Sequence, residues 1–279
     1  MVAEALRWRL AGRFVRVPSL TGRITLSYLP LLSYTDVGRA GAECLIAEAG
    51  SALYQIRVLA PEAHDFLDAQ PVTMRLPLRD RGVADVWSSG LSDKCRNQVR
   101  KAERGGIRVV VRTDGSGLRH FHGLLASSLH FHGAPLPPLA LFEGMCSRLD
   151  AVPYLAYAGD DPVAALIVIR DGGLTWVPFA ASDRRRLTMC PNHLLYWRAI
   201  SDAIESAADV FDFGRSPFLG NTYRFKRQWG ARPVGLQSLP PRAGGLYDKY
   251  AWAQRMWRAT PRPFADKIGP WLCHYLADY

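Results

Sequence analysis

The sequence predicts a mixed α/β (α+β) fold: a mostly antiparallel sheet flanked by helices. Three observations lead there. Residues 154–159, 163–170 and 174–181 are apolar runs joined by the tight turns Asp160-Asp161-Pro162 and Asp171-Gly172-Gly173, the pattern of successive hairpins. A helix-like segment opening at Pro191 follows, and after it VFDF (210–213) reads as one more buried strand. Amphipathic segments at 92–104 and 117–129 place helices between the strands rather than in a block apart from them.

Taken in order, 14–17, 24–32 and 53–59 read as strands punctuated by Pro18, Gly22 and Pro30, with a short helix at 40–50. Residues 80–90 read as a link to a second unit. Ser92 then caps a helix that ends at Gly105-Gly106. On it Cys95, Val99 and Ala102 form a narrow apolar stripe, while Arg96, Arg100 and Arg104 recur every fourth residue on a neighbouring face. Like charges at that spacing repel, so helix preference does not explain the row. It is either a solvated face or a contact for phosphates.

A strand at 107–111 leads into the helix at 117–129, where HFHGLLASSLHFH carries two His-x-His pairs, His120/His122 and His130/His132. On a helix such pairs diverge, whereas metal ligands recur at i and i+4, so no metal is expected. His132, beside Gly133 where the helix breaks, is the histidine placed for ligand contact. A helix at 139–149 precedes the hairpins.

The chain is organised around VFDFGRSPFLGNTYRFKRQWGA (210–231). Alternation sets Phe211 and Phe213 on one face of the strand and Asp212 on the other. Gly214 ends the strand by turning the backbone or admitting a ligand, and Arg215 and Ser216 sit at its carboxyl end, where open α/β sheets bind ligands. The segment after the Gly/Asn loop crowds Tyr223, Phe225, Lys226 and Trp229 together. A structural ion pair between Asp212 and Arg215, and a surface contact between Lys226 and aromatic rings, are the plainer readings.

The blocks FDFGRS and TYRFKRQWGA resemble the carboxyl-terminal signature of the FemAB-like branch of the GNAT acyltransferase superfamily. LSDKCRNQVRKAERGGI (91–107) is similar to that family's basic helix, and PNHLLYWRAI (191–200) to its helix after the central strand. Three blocks in the right order make the resemblance specific. It implies a truncated first GNAT-like lobe over 1–80, the acyltransferase domain over 81–240 and an aromatic, basic tail over 241–279. The tail, through WRATPRPFADKIGP, resembles FemAB-like proteins of exopolysaccharide and PEP-CTERM/exosortase systems.

The family's Phe-Lys pair carries over to Phe225 and Lys226, so the resemblance implies that the Lys226 ammonium faces the donor carbonyl. Asp212 is then the candidate base or orienting group, and Arg215 holds an acceptor carboxylate or phosphate. Ser216, Tyr223, Trp229, Arg96, Arg100 and Asn192 complete the implied substrate contacts. The usual glycine-rich acetyl-CoA loop is replaced by SDRRRLTMCPN, which leaves phosphates to Arg184, Arg185 and Arg186 and to the helix start at Pro191-Asn192. No tightly bound cofactor is expected; the co-substrate is aminoacyl-tRNA or acyl-CoA. With no Gly-x-Ser-x-Gly elbow and no Cys/His nucleophile signature, direct transfer in a ternary complex is expected over an acyl-enzyme.

The net charge of +10 favours acidic partners, among them phosphorylated donors, tRNA and an anionic membrane face. The five scattered cysteines form no Cys-x-x-Cys pair, and the sequence shows no signal peptide or membrane span. The expectation is a cytoplasmic protein, peripheral at most to the inner membrane face, acting on an amine of a peptidoglycan or exopolysaccharide precursor. A non-catalytic GNAT-like module holding an anionic glycolipid or RNA is the alternative. Composition, 48% hydrophobic and 22% charged, is that of a folded protein. In the tail, Pro261, Pro263 and Pro270 argue against one long amphipathic helix and for packing on the domain.

Overall fold

A computed structural model describes residues 9–11, 14–19, 22–26, 54–60, 71–112, 114–239 and 251–273. Its strands are β1 Arg9–Ala11, β2 Phe14–Ser19, β3 Gly22–Leu26, β4 Tyr54–Ala60, β5 Pro71–Pro77, β6 Ile107–Val111, β7 Asp150–Ala158, β8 Asp161–Asp171, β9 Leu174–Ser182, β10 Val210–Pro217 and β11 Arg232–Leu239. Among the described residues they join in the order β1-β2-β3-β4-β11-β5-β10-β9-β8-β7-β6. Two neighbour pairs are parallel, β3 with β4 and β9 with β10; the others described are antiparallel. The expected mixed, mostly antiparallel sheet flanked by helices is what forms.

Period-two alternation serves two cores. Along β8, Ala164, Leu166 and Val168 face the helices α1 (Asp93–Arg104) and α4 (Pro191–Glu205). Ala165, Ile167 and Ile169 face α2 (Gly115–His132) and α3 (Leu139–Arg148). Both faces of this strand are covered, which is why it reads as a continuous apolar run. The stripe Cys95, Val99 and Ala102 is buried as its spacing predicts, with Ser92 Oγ accepting from the Cys95 amide.

Two expectations are corrected. Residues 80–90 are not a bare link: 83–90 coil into a short helical segment whose Val86 is fully buried, held by Arg96. The strand at 210–213 does not stop at Gly214 but runs to Pro217 through a bulge. The basic aromatic segment is a helix, α5 (Asn221–Arg227). The tail forms two helices, α6 (Ala251–Ala259) and α7 (Arg262–Cys273); Pro261 divides them, but Pro270 lies inside α7 near its end. The helix expected at 40–50 and the tail's leading segment at 241–250 lie outside the described residues.

The tail docks on α2 through close backbone approach. Gly133, at φ +76, caps α2, and a Cβ there would lie 2.7 Å from the Gln254 carbonyl oxygen and 2.8 Å from its Cβ. His130 Nε2 lies 2.9 Å from the Thr260 carbonyl, and an Arg262 amino group donates to the Gly123 carbonyl at 3.3 Å. Gly133→Ala should therefore cost about 2 kcal/mol or more, from left-handed strain plus overpacking. Gly159→Ala, at φ +62 with nothing within 4 Å of its Cβ position, should cost the strain alone. Thermal melts, together with proteolysis between α6 and α7, separate the two: tail cleavage should accelerate in the first variant only.

Candidate functional site

The site grows from a fork in the sheet. β10 pairs with β9 over Val210–Asp212 only, against Leu174–Trp176. Beyond that point β9 continues along β8 to Ser182, while β10 follows β5 to Pro217. The two parallel strands part at their carboxyl ends, the place where such sheets bind ligands.

A bulge sets the departing strand. Asp212 opposes Arg75 and Arg215 opposes Thr73, so β10 carries an extra residue, with Gly214 at φ +77. The extra residue frees backbone groups that must find other partners. The Gly214 amide donates to Asp212 Oδ1 at 2.7 Å, which also accepts from Thr73 Oγ1 at 2.5 Å. Arg75 Nε reaches Asp212 Oδ2 at 3.3 Å. Lys226, from α5, donates to the carbonyls of Gly214 at 2.9 Å and Arg215 at 3.0 Å.

Asp212 and Lys226 thus hold the two sides of one bulge. Asp212 is fully enclosed, and Lys226 is only 7% exposed. Burial pulls the Lys226 ammonium down from its usual value to about 7, against the attraction of Asp212 and with the repulsion of Arg215. An ammonium has three donors and two are occupied among the described residues, which leaves the third for a ligand oxygen.

An aromatic wall stands beside this bulge. Tyr196 stacks on Phe213 with centroids 5.4 Å apart, and Phe225 meets Tyr196 edge-on at 5.5 Å. Trp229, fully buried, packs against Phe213 and Phe225. His193, in the first turn of α4, lies 5.1 Å from Phe225 and 5.9 Å from Trp229, the latter stacked. Both His193 ring nitrogens, the Trp229 indole N–H and the fully buried Ser216 hydroxyl have no hydrogen-bond partner among the described residues. Burial and the nearby Lys94 charge push His193 down to about 4, so it is neutral near pH 7.

The structure therefore gathers Lys226, Asp212, Phe225, Ser216 and Trp229 at the fork, with Arg215 half-buried on the bulge. Tyr223 is buried under Phe218, with Arg227 donating to its hydroxyl. Asn192 donates to Ser182 Oγ at 3.2 Å, tying the start of α4 to the end of β9. Arg185 is paired with Asp183, and Arg184 lies over the Phe131 ring at 3.6 Å. The basic row on α1 is not a uniform phosphate face. Arg96 donates to the carbonyls of Trp87, Ser88 and Leu91 and pairs with Asp93. Arg100 is exposed with its guanidinium 5.5 Å from the Trp87 ring.

His193, Thr73 and Arg75 escaped the sequence reading. PVTMRLP alternates Val72, Met74 and Leu76 with Thr73 and Arg75, and that signal was present. His193 had no local signal, because its importance lies in what it fails to bond. Of the α2 histidines, His120 bonds the Tyr157 hydroxyl, His122 the Pro137 carbonyl and His130 the tail, while His132 is exposed. Among the described residues no three potential metal ligands come together, and no helix is long and apolar enough to cross a membrane.

A family model described as an acetyltransferase (GNAT) domain matches residues 89–227. Among solved structures the fold is similar to FemX, with 15% identity over 86% of each chain and a TM-score of 0.59. It is also similar to the C-terminal domain of a putative lysylphosphatidylglycerol synthetase from Agrobacterium fabrum, at 12% identity over 88% of this chain and 83% of that one, TM-score 0.51. A conserved protein of unknown function from Bacteroides thetaiotaomicron aligns at 9% identity over 85% and 87%, TM-score 0.51. No curated protein matches the chain.

Proposed function

We propose that the chain, whose residues 89–227 match a GNAT acetyltransferase domain, is an acyltransferase of the FemAB-like branch that transfers an acyl or aminoacyl group to an amine of a cell-envelope precursor, of peptidoglycan or exopolysaccharide. One observation carries this reading: a desolvated lysine with a spare donor, fixed by two carbonyls at the point where β9 and β10 part.

The donor carbonyl enters the fork and the acceptor amine attacks it directly. The new C–N bond forms as negative charge gathers on the carbonyl oxygen, and the remaining Lys226 N–H donates to that oxyanion. Collapse expels the thiolate of an acyl-CoA or the ribose oxygen of an aminoacyl-tRNA, which takes the proton the amine has lost. Lys226, with its value near 7, is suited to passing that proton near neutral pH. Asp212 and Arg75 hold the bulge, and with it Lys226, in place. Phe225 and Trp229 keep water from the reacting carbonyl, and neutral His193 offers one donor and one acceptor to the substrates.

The envelope acceptor is supported by the folds the chain shares, FemX and a putative lysylphosphatidylglycerol synthetase domain, and by the net charge of +10. Trp252, Met256, Phe264 and Trp271 of the tail are each more than half exposed and stand among Arg255, Arg258 and Lys267. That mixture suits contact with an anionic membrane face, and tRNA is the other acidic partner the charge favours.

Mass spectrometry of envelope precursors from a deletion strain tests the reading. A precursor should lose one acyl or aminoacyl mass, restored by the wild-type chain and not by Lys226→Met; an unchanged precursor set would refute it. His193→Phe should leave the melting temperature within about 2 °C, since it removes only unpartnered nitrogens, yet lower turnover about tenfold or more. Unchanged turnover would remove His193 from the site.

A further inference from the structure

The C-terminal helix pair carries large apolar side chains on the face turned away from the domain. On α7 the inner face is Ala265, Gly269 and Cys273, recurring every fourth residue and all buried. A Cβ at Gly269 would lie 2.9 Å from the Leu136 amide nitrogen, and Cys273 joins the core that α2 covers. Two residues advance a helix by about 200°, so Lys267 and Trp271, each two positions from Gly269, point away from the domain. Phe264, seven residues before Trp271, shares that outer face. α6 repeats the arrangement: Gln254 rests on Gly133, and Trp252 and Met256, two positions to either side of it, face outward.

Trp252, Met256, Phe264 and Trp271 are 60%, 64%, 57% and 56% exposed. A helix needs one face to dock, and α6 and α7 both have theirs against α2. The outer stripes are not what docks them, and four large apolar side chains gathered on one solvent face mark a surface that something else covers. The rim is cationic. Arg255, Arg258, Arg262 and Lys267 are exposed, and the single acid of 251–273, Asp266, bonds Arg262, which leaves a net charge of +3 over those residues. Tryptophans set among arginines and a lysine match the boundary of an anionic bilayer, where rings reach the acyl region while cations stay with the headgroups. A second copy would instead bring the same cations face to face on a chain of net charge +10, so like charges disfavour it.

We propose that α6 and α7 together form an in-plane anchor, which inserts Trp252, Met256, Phe264 and Trp271 into the headgroup boundary of an anionic membrane. Both helices are fixed to α2, through Gly133, His130 and the Gly123 carbonyl. The anchor therefore sets the orientation of the whole domain on the bilayer rather than tethering it loosely. It rests on the envelope reading only for its purpose, since the helix geometry stands without it, and its test needs no turnover.

Co-sedimentation of the full chain would use vesicles of phosphatidylcholine alone and of phosphatidylcholine with phosphatidylglycerol in equal parts. Binding to the mixed vesicles should be saturable, about tenfold or more tighter than to the neutral ones, and weakened by high salt. Met256→Glu and Phe264→Glu should each weaken it about tenfold or more without lowering the melting temperature, since both side chains are exposed. Lys267→Glu should weaken it about fivefold or more, and Arg104→Glu, at an exposed arginine of α1, less than about twofold. Bromine on the lipid chains should quench tryptophan emission, and less so in Trp252→Phe. No binding, equal binding to both kinds of vesicle, or equal losses in the Arg104 and Lys267 variants would overturn the proposal. So would a dimer of the chain that Met256→Glu splits, since this face would then be a contact between copies. If the precursor masses change with Lys226 while vesicles do not bind, the anchor fails and the transferase stands; the opposite pair of results leaves the anchor and removes the envelope reading.

Discussion

Lys226→Met is expected to lower acyl transfer by about 10²–10³ while the chain still folds. The size follows from the loss of one fixed donor at a developing oxyanion. Folding survives because two opposed effects meet. The carbonyls of Gly214 and Arg215 lose their donor, at about 1–3 kcal/mol each, but the cost of burying an ammonium disappears with it. The substitution also has a signature in pH. Wild-type Lys226 binds its proton with a value near 7 when folded and about 10.5 when unfolded. Between those values the unfolded chain holds the extra proton, so wild-type stability climbs with pH across that window. Chemical denaturation at pH 7, 8 and 9 should show that climb in the wild type and its loss in the variant. Equal slopes would mean that Lys226 is not desolvated.

Asp212→Ala should be the most destabilising single change at the site, by about 3–5 kcal/mol. Removing the carboxyl group strands the Thr73 hydroxyl, the Gly214 amide and one edge of Arg75 in an enclosed space. For a chain of this size that corresponds to a fall in melting temperature of about 10 °C. Asp212→Asn keeps an acceptor oxygen for Thr73 and Gly214 but turns an amide N–H₂ toward Arg75, so roughly half the loss is expected. Asp212→Asn also separates positioning from proton transfer. A positioning role predicts that activity falls in step with stability and recovers in part at lower temperature. A stable variant with its turnover abolished at every temperature would instead make Asp212 the base.

Much of the fold was legible because its strands and helices carry their own periods. The hairpins of 154–181, the stripe Cys95, Val99 and Ala102, and the strand before Gly214 were read from spacing alone. The bulge was not, because an extra residue in β10 is defined only against β5, a partner far away in sequence. Gly214 looked like a stop for the same reason: a positive φ ends a strand in a turn but bends it in a bulge. α5 escaped because at seven residues it is too short for a periodic signal.

The site divides in the same way. Phe225, Lys226, Asp212 and Trp229 were singled out by chemistry that ordinary strands and loops do not need. Arg96 shares its spacing on α1 with Arg100 and Arg104, while its bonds go to carbonyls of 87–91 that no pattern reveals. The tail was read as packing on the domain. It does dock, and it also leaves Trp252 and Phe264 exposed.

The state of the Lys226 amine is open to direct measurement. The sequence holds five lysines, Lys94, Lys101, Lys226, Lys249 and Lys267, few enough to resolve by carbon and nitrogen NMR of lysine-labelled protein. Titrated from pH 5 to 11, one resonance should change with a midpoint near 7 and vanish in Lys226→Met. If no lysine resonance changes near pH 7 and the Lys226 signal moves only at its ordinary value of 10.5, the amine is solvated and the transfer mechanism built on it does not hold.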